Sequence, residues 1–116
     1  MDNKYSFAAF QEQAMRTAKD MGKEKDLIHA TLGITSEAGE FSDAIKKFFA
    51  YDKELDINNL IEEIGDLFWF CALACRSLGV SLEVPAIHCI SKLEKRYPEK
   101  FTNEAAFARA DKAGES

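Results

Sequence analysis

Apolar residues recur along this chain at helical spacing, and no run alternates as a strand would. Phe7, Phe10, Ala14, Ala18 and Met21 fall on one side of a first amphipathic helix, with Ser6 placed to cap it and Gly22 to stop it. A charged turn over Gly22–Lys25 follows. Asp26 is placed to cap a second, long helix to about Ala50, whose stripe is Ile34, Ala38, Phe41, Ile45 and Phe48. Tyr51 to Asp56 is a polar connector, and Asp56 is placed to cap a third helix that ends at Gly79. On this helix Leu60, Ile64, Leu67 and Cys71 share a side, and from Leu67 to Cys75 it is apolar nearly all round. A fourth helix starts between Ser81 and Pro85, carries Ile87, Ile90 and Leu93, and ends before Pro98. The pattern predicts an all-α fold: a four-helix bundle over residues 1–101, then a short Ala-rich helix and a flexible tail over 102–116.

Gly33 and Gly39 interrupt the second helix. Each costs about 1 kcal/mol against alanine, which implies close packing or, at Gly39, the approach of a backbone or ligand.

The balance of 47% hydrophobic and 30% charged residues in 116 is that of one globular domain with its own core. A net charge of −5 argues against a general nucleic-acid surface. No stretch approaches the ~20 apolar residues of a membrane span, and the N-terminus does not read as a signal peptide. The expected location is cytoplasmic, with no membrane partner. Cys71, Cys75 and Cys89 are an odd set without C-x-x-C spacing and read as reduced core cysteines; His29 and His88 do not complete a zinc site. The all-round apolar third helix predicts a second subunit over it, in a homodimer or homotetramer. Trp69, between Phe68 and Phe70, reads as core or interface first and as a base-stacking residue second.

Four acids stand out against this background. Glu37 and Glu40 are three apart on the second helix, and Glu63 and Asp66 repeat the spacing on the third. Residues three apart share a helix side, and both pairs lie at the edge of an apolar stripe. If the helices pack stripe to stripe and antiparallel, the four carboxylates converge at the core margin. Converging carboxylates repel and resist desolvation unless a cation joins them, and oxygen ligands suit a hard divalent ion, Mg²⁺ above all. The competing reading is a pair of solvated helix faces. A di-iron bundle would want Glu-x-x-His on two helices; the nearest spacing is Asp26-x-x-His29. At the end of the fourth helix Lys92, Lys95, Arg96 and Lys100 gather positive charge, as a solvated helix end or as a phosphate clamp. Gln11, His29, Phe48 and Trp69 are the candidates to face a base, each with a structural role also open to it.

The stretches Gly33–Lys47, Leu60–Phe70 and Lys92–Phe101, with Phe10-Gln11-x-x-Ala14-x-x-Thr17 before them, resemble the MazG-like all-α nucleoside triphosphate pyrophosphohydrolases, single-domain and often phage-borne. The resemblance covers residues 7–101. It implies hydrolysis of a nucleoside or deoxynucleoside triphosphate to the monophosphate and pyrophosphate, in the service of the nucleotide pool. It implies Mg²⁺, with Mn²⁺ as a substitute, held by Glu37, Glu40, Glu63 and Asp66. Lys92 and Arg96 would contact phosphate, and one of the four acids, or a water held by it, would take a proton from the attacking water, with Glu37 the candidate; Lys95, Gln11 and Trp69 are read beside them as further substrate-binding residues. Two positions depart from the pattern. Ser36 stands where many relatives have another Glu, and Cys89 where many have an Asn able to hydrogen-bond sugar or phosphate. The alternatives are a non-catalytic helical oligomerisation or partner-binding module, favoured by the apolar third helix, and a slow nucleotide sensor, suggested by Cys89.

Overall fold

The computed structural model describes residues 4–112. Among these there is no strand; the chain forms α1 (Phe7–Met15), α2 (Lys23–Ala50), α3 (Ile57–Ser77), α4 (Glu83–Arg96), α5 (Asn103–Ala108) and a 3₁₀ turn, Ala110–Lys112. Two compact units result. One holds α1 to α3 and ends at Leu82; the other begins at Glu83 and holds α4, α5 and the turn. The short C-terminal helix is α5, capped by Thr102, whose hydroxyl accepts from the Ala105 N–H at 3.0 Å. Of the expected flexible tail, residues 113–116 lie outside the described residues.

In the first unit, helix starts follow side-chain chemistry. Ser6 caps α1 by accepting the Ala9 N–H at 3.1 Å, and Asp56 caps α3 by accepting the Asn59 N–H at 3.0 Å. Two boundaries differ from the expectation. Helix α1 stops at Met15 rather than near Gly22, because Thr17 turns the chain: its hydroxyl donates to the Ala14 carbonyl at 2.6 Å and accepts the Trp69 indole N–H at 2.9 Å. Helix α2 begins at Lys23, with Gly22 as its N-cap at φ 93°, a backbone region that favours glycine. Asp26 is therefore not the cap. It lies within the first turn, buried, accepts the Met21 N–H at 3.2 Å and pairs with Arg76 at 3.0 Å. A buried carboxylate needs such partners, so this pair ties the start of α2 to the end of α3.

Helices α2 and α3 are antiparallel. Asp26 meets Arg76, and Gly33 lies so close to the Phe70 ring that a Cβ there would run into it. Further along, Glu37 meets Glu63 and Asp66. The glycine at position 33 thus lets an aromatic ring sit directly on the α2 backbone. Helix α1 packs on the far end of α3, where Ala14, Ala72, Cys75 and Leu82 form the core with Phe10, Met15 and Trp69 against it. Gln11 fastens this corner. Its Nε2 donates to the carbonyls of Ala72 (3.3 Å) and Val80 (3.2 Å), and its Oε1 accepts from the Leu82 N–H (2.9 Å). The strictly buried core is small, and large apolar residues remain exposed, including Ile28 and Leu32 on α2 and Ile57, Ile61 and Phe68 on α3. Cys71, Cys75 and Cys89 are free thiols; Cys75 is buried, Cys71 half-buried and Cys89 exposed. Burial pushes the Cys71 and Cys75 thiols up, away from the reactive thiolate. No helix among the described residues is long and apolar enough to cross a membrane.

Candidate metal centre

The antiparallel packing brings both acid pairs to the middle of the α2–α3 seam. One ligand oxygen from each of Glu37, Glu63 and Asp66 lies within 4.8 Å of the others, which is the spacing of groups able to share one cation. Glu37 and Glu63 are half-buried at the stripe edge, while Asp66 faces solvent. Glu40 is also exposed and stands beside Glu63 and Glu37.

Two observations show strain in this arrangement. The Oε2 atoms of Glu37 and Glu63 are buried and have no hydrogen-bond partner among the described residues. A buried carboxylate oxygen without a donor costs free energy that a cation would recover. The acids also raise one another. The neighbouring Glu63 carboxyl lifts Glu40 above the ordinary carboxylate range, first by favouring a shared proton and then by its charge. Glu37 lifts Glu63 in the same way. A proton shared between two acids is the poorer substitute for a divalent ion. The donor set is all carboxylate, which fits a hard ion such as Mg²⁺ or Mn²⁺ and not a thiolate-seeking metal. Among the described residues nothing approaches Gly39 or Gly65 within 4 Å of an added Cβ, so the helix surfaces flanking the acids are open.

Beside the acids a groove of about 520 Å³ runs between the second half of α2 and the first half of α3, sharing Glu40 and Glu63 with the cluster. Its far wall includes Lys47, Lys53 and Asn59. Neither Lys47 nor Lys53 stands out in the sequence; the only available signal is their place, Lys47 in the last turn of α2 and Lys53 within the α2–α3 connector.

The family model of the MazG nucleotide pyrophosphohydrolase domain matches residues 27–101. The chain belongs to this family. A curated relative, the Gene 37 protein of Mycobacterium phage L5, is 30% identical over 97 residues, which are 79% of this chain and 84% of the phage protein. No solved structure matches the chain. The matched stretch contains both acid pairs and the basic end of α4, and α1 with Gln11 lies before it.

The other residues singled out in sequence have definite places. Both ends of the Gln11 amide are spent inside the fold. Trp69 is half-buried, hydrogen-bonded to Thr17 and packed edge-on against Phe70 (5.0 Å) and His29 (6.3 Å). In the second unit, Lys92 and Lys95 are exposed and border a groove of about 540 Å³ with His88 and Cys89. Arg96 makes a two-pronged ion pair with Asp111, Nε to Oδ1 at 2.7 Å and Nη2 to Oδ2 at 3.0 Å. The Asp111 carboxylate thereby occupies the face of the guanidinium that would take a phosphate.

Proposed function

We propose that this protein hydrolyses nucleoside or deoxynucleoside triphosphates to the monophosphate and pyrophosphate, with Mg²⁺ held by Glu37, Glu40, Glu63 and Asp66. The observation that carries the reading is the carboxylate cluster with two buried, unpartnered oxygens, on a chain of the MazG family. When bound, the ion supplies charge neutralisation for the polyphosphate and activation of water. The protein's part is to hold that charge in place. Glu63 and Asp66, a turn apart on α3, and Glu37 across the seam provide oxygens from two packed helices rather than from loops. Glu40, more exposed and with its proton affinity raised, lies at the groove end of the set. Glu37 is our candidate to accept the proton from the attacking water. Lys92 and Lys95 are the phosphate contacts of this reading, and Arg96 joins them by exchanging Asp111 for phosphate. Trp69 is the aromatic candidate for the base. Gln11 is left out of the substrate contacts, because engaging it would break three internal hydrogen bonds.

We further propose that the protein works as a homodimer or homotetramer in the cytoplasm, with a second subunit covering the apolar surface of α2 and α3. The exposed apolar residues of those helices support this assembly. Its products would adjust or clean a nucleotide pool.

The deciding experiment is pyrophosphate release from all eight common NTPs and dNTPs, with and without Mg²⁺. Metal-dependent release from some of them, abolished in Glu40→Gln and Glu63→Gln proteins that keep their helical circular dichroism, is the expected result. No release from any, together with a melting curve indifferent to Mg²⁺, would leave the acids as surface and favour a non-catalytic binding module.

A further inference from the structure

We propose that Lys53 is a substrate-positioning residue that binds the polyphosphate of the nucleotide in the groove between α2 and α3. The assignment rests on the metal-centred reading above and extends it to a residue outside the acid pairs and outside the basic end of α4.

Three observations lead to it. The first is continuity: the groove of about 520 Å³ has Glu40 and Glu63 in its wall, so a phosphate chain seated at the cluster has this space beside it. The second is charge. The groove's wall carries more acids than cations, and its two cations are Lys47 and Lys53. Lys47 is committed to Asp43 at 2.9 Å on its own helix. Among the described residues no ion pair or hydrogen bond engages the Lys53 ammonium. A triphosphate entering a wall this acidic meets repulsion at every point that an ion at the cluster does not cover. Lys53 is the cation left to offset it.

The third observation is that the backbone holds Lys53 in place. Helix α2 ends with two N–H groups, those of Tyr51 (3.1 Å) and Lys53 (3.2 Å), on the single carbonyl of Lys47. Asp52 between them adopts φ 54°, the left-handed region that an Asp tolerates better than most residues. That turn folds the chain back over the end of α2 and puts Lys53 in the groove wall, opposite the N-terminal turns of α3. The lysine is thus delivered by a defined helix stop. A long, flexible ammonium suits a phosphate chain, which presents oxygens in several directions and sets no single planar geometry.

The test uses the full chain in four forms: the native protein, Lys53→Ala, Lys53→Arg, and Lys46→Ala as a control that removes the same charge outside the groove wall. Calorimetry measures binding of inorganic triphosphate in the presence of Mg²⁺. Steady-state kinetics follow whichever nucleotide the native protein hydrolyses, and melting curves with Mg²⁺ alone report the acids. The expected result is that Lys53→Ala weakens triphosphate binding and raises KM about tenfold or more, the loss of one charged contact. Its kcat stays within about threefold of native and its Mg²⁺-induced melting shift is unchanged, as only a phosphate contact requires. Lys53→Arg recovers most of the affinity, and Lys46→Ala behaves as native. Native-like binding by Lys53→Ala would overturn the assignment. So would an arginine variant as weak as the alanine one, or a native protein that binds no triphosphate. A native protein that binds triphosphate through Lys53 yet hydrolyses no nucleotide would keep the assignment and overturn the hydrolase reading.

Discussion

Glu63 stands at the centre of the residue-scale argument, because it touches Glu37, Glu40 and the groove at once. Its raised proton affinity and that of Glu40 have a consequence for stability. Both carboxyls hold a proton more tightly in the folded chain than at the ordinary 4.5 of an unfolded one. Their contribution is complete below about pH 4.5 and is lost as pH rises through the raised folded-state values. Urea titrations of the metal-free protein should show this loss above pH 4.5. The loss should be smaller in Glu63→Gln, where no charge develops at the centre, and Mg²⁺ should restore stability to the native protein alone. A native protein whose pH profile matches that of Glu63→Gln would remove the electrostatic basis of the site. Gln11 makes a contrasting case, a polar residue whose work is structural. Gln11→Ala leaves the Leu82 N–H without its side-chain acceptor and removes one donor each from the Ala72 and Val80 carbonyls, and should cost about 1–3 kcal/mol in a urea titration. The same variant should keep the KM of the native protein for any nucleotide it hydrolyses; a large rise in KM at unchanged stability would return Gln11 to the substrate contacts.

At the scale of the element, α2 carries two glycines with opposite roles. Gly33 is packed closely by the Phe70 ring, and among the described residues nothing lies within 4 Å of a Cβ added at Gly39. Alanine gains about 1 kcal/mol in a helix interior over glycine. At Gly33 that gain is overrun, because the Phe70 ring must move, and overpacking costs about 1–3 kcal/mol. Gly33→Ala should therefore lower the melting temperature and Gly39→Ala should raise it. If Gly39→Ala also loses hydrolysis while gaining stability, the open surface between Glu37 and Glu40 is where substrate lies. Full activity in that variant would make Gly39 a mere helix weakness. The end of α4 illustrates how an element's chemistry depends on its neighbours. In sequence Arg96 is one of a basic group, whereas in the fold its guanidinium is matched by the Asp111 carboxylate, whose proton affinity it lowers from the ordinary value.

At the scale of the whole molecule, the exposed apolar residues are the main fact. Ile28 and Leu32 on α2 are 61% and 65% exposed, and Ile57 and Ile61 on α3 are 62% and 61% exposed. Such surface on the helices that carry the acids predicts self-association, with a sedimentation profile of dimer or tetramer at micromolar concentration. Charged substitutions at Leu32 and Ile61 together should shift that profile to monomer and lower the melting temperature. A native chain that sediments as a monomer at all concentrations would refute the assembly.

Helical periodicity, the caps at Ser6 and Asp56, and the pairing of Glu37 and Glu40 with Glu63 and Asp66 were all legible along the chain. They depend on spacings of three and four residues within one helix. The convergence of the two pairs followed from one further step, because the stripes that must be buried carry the acids at their edges. Asp26 shows where such reading stops. A capping residue and a buried partner of Arg76 look alike in sequence, and fifty residues separate the two. The same holds for the Gln11 amide, the Phe70 ring over Gly33, the Asp111 partner of Arg96 and the placement of Lys53 beside the acids. The sequence by itself determined the all-α class, the two acid pairs and the family. The tertiary structure alone decided which polar groups are spent inside the fold and which, like the buried oxygens of Glu37 and Glu63, are left without a hydrogen-bond partner among the described residues. Local spacing sets which side of a helix a residue occupies, but hydrogen-bond satisfaction depends on contacts that only the packed chain brings together.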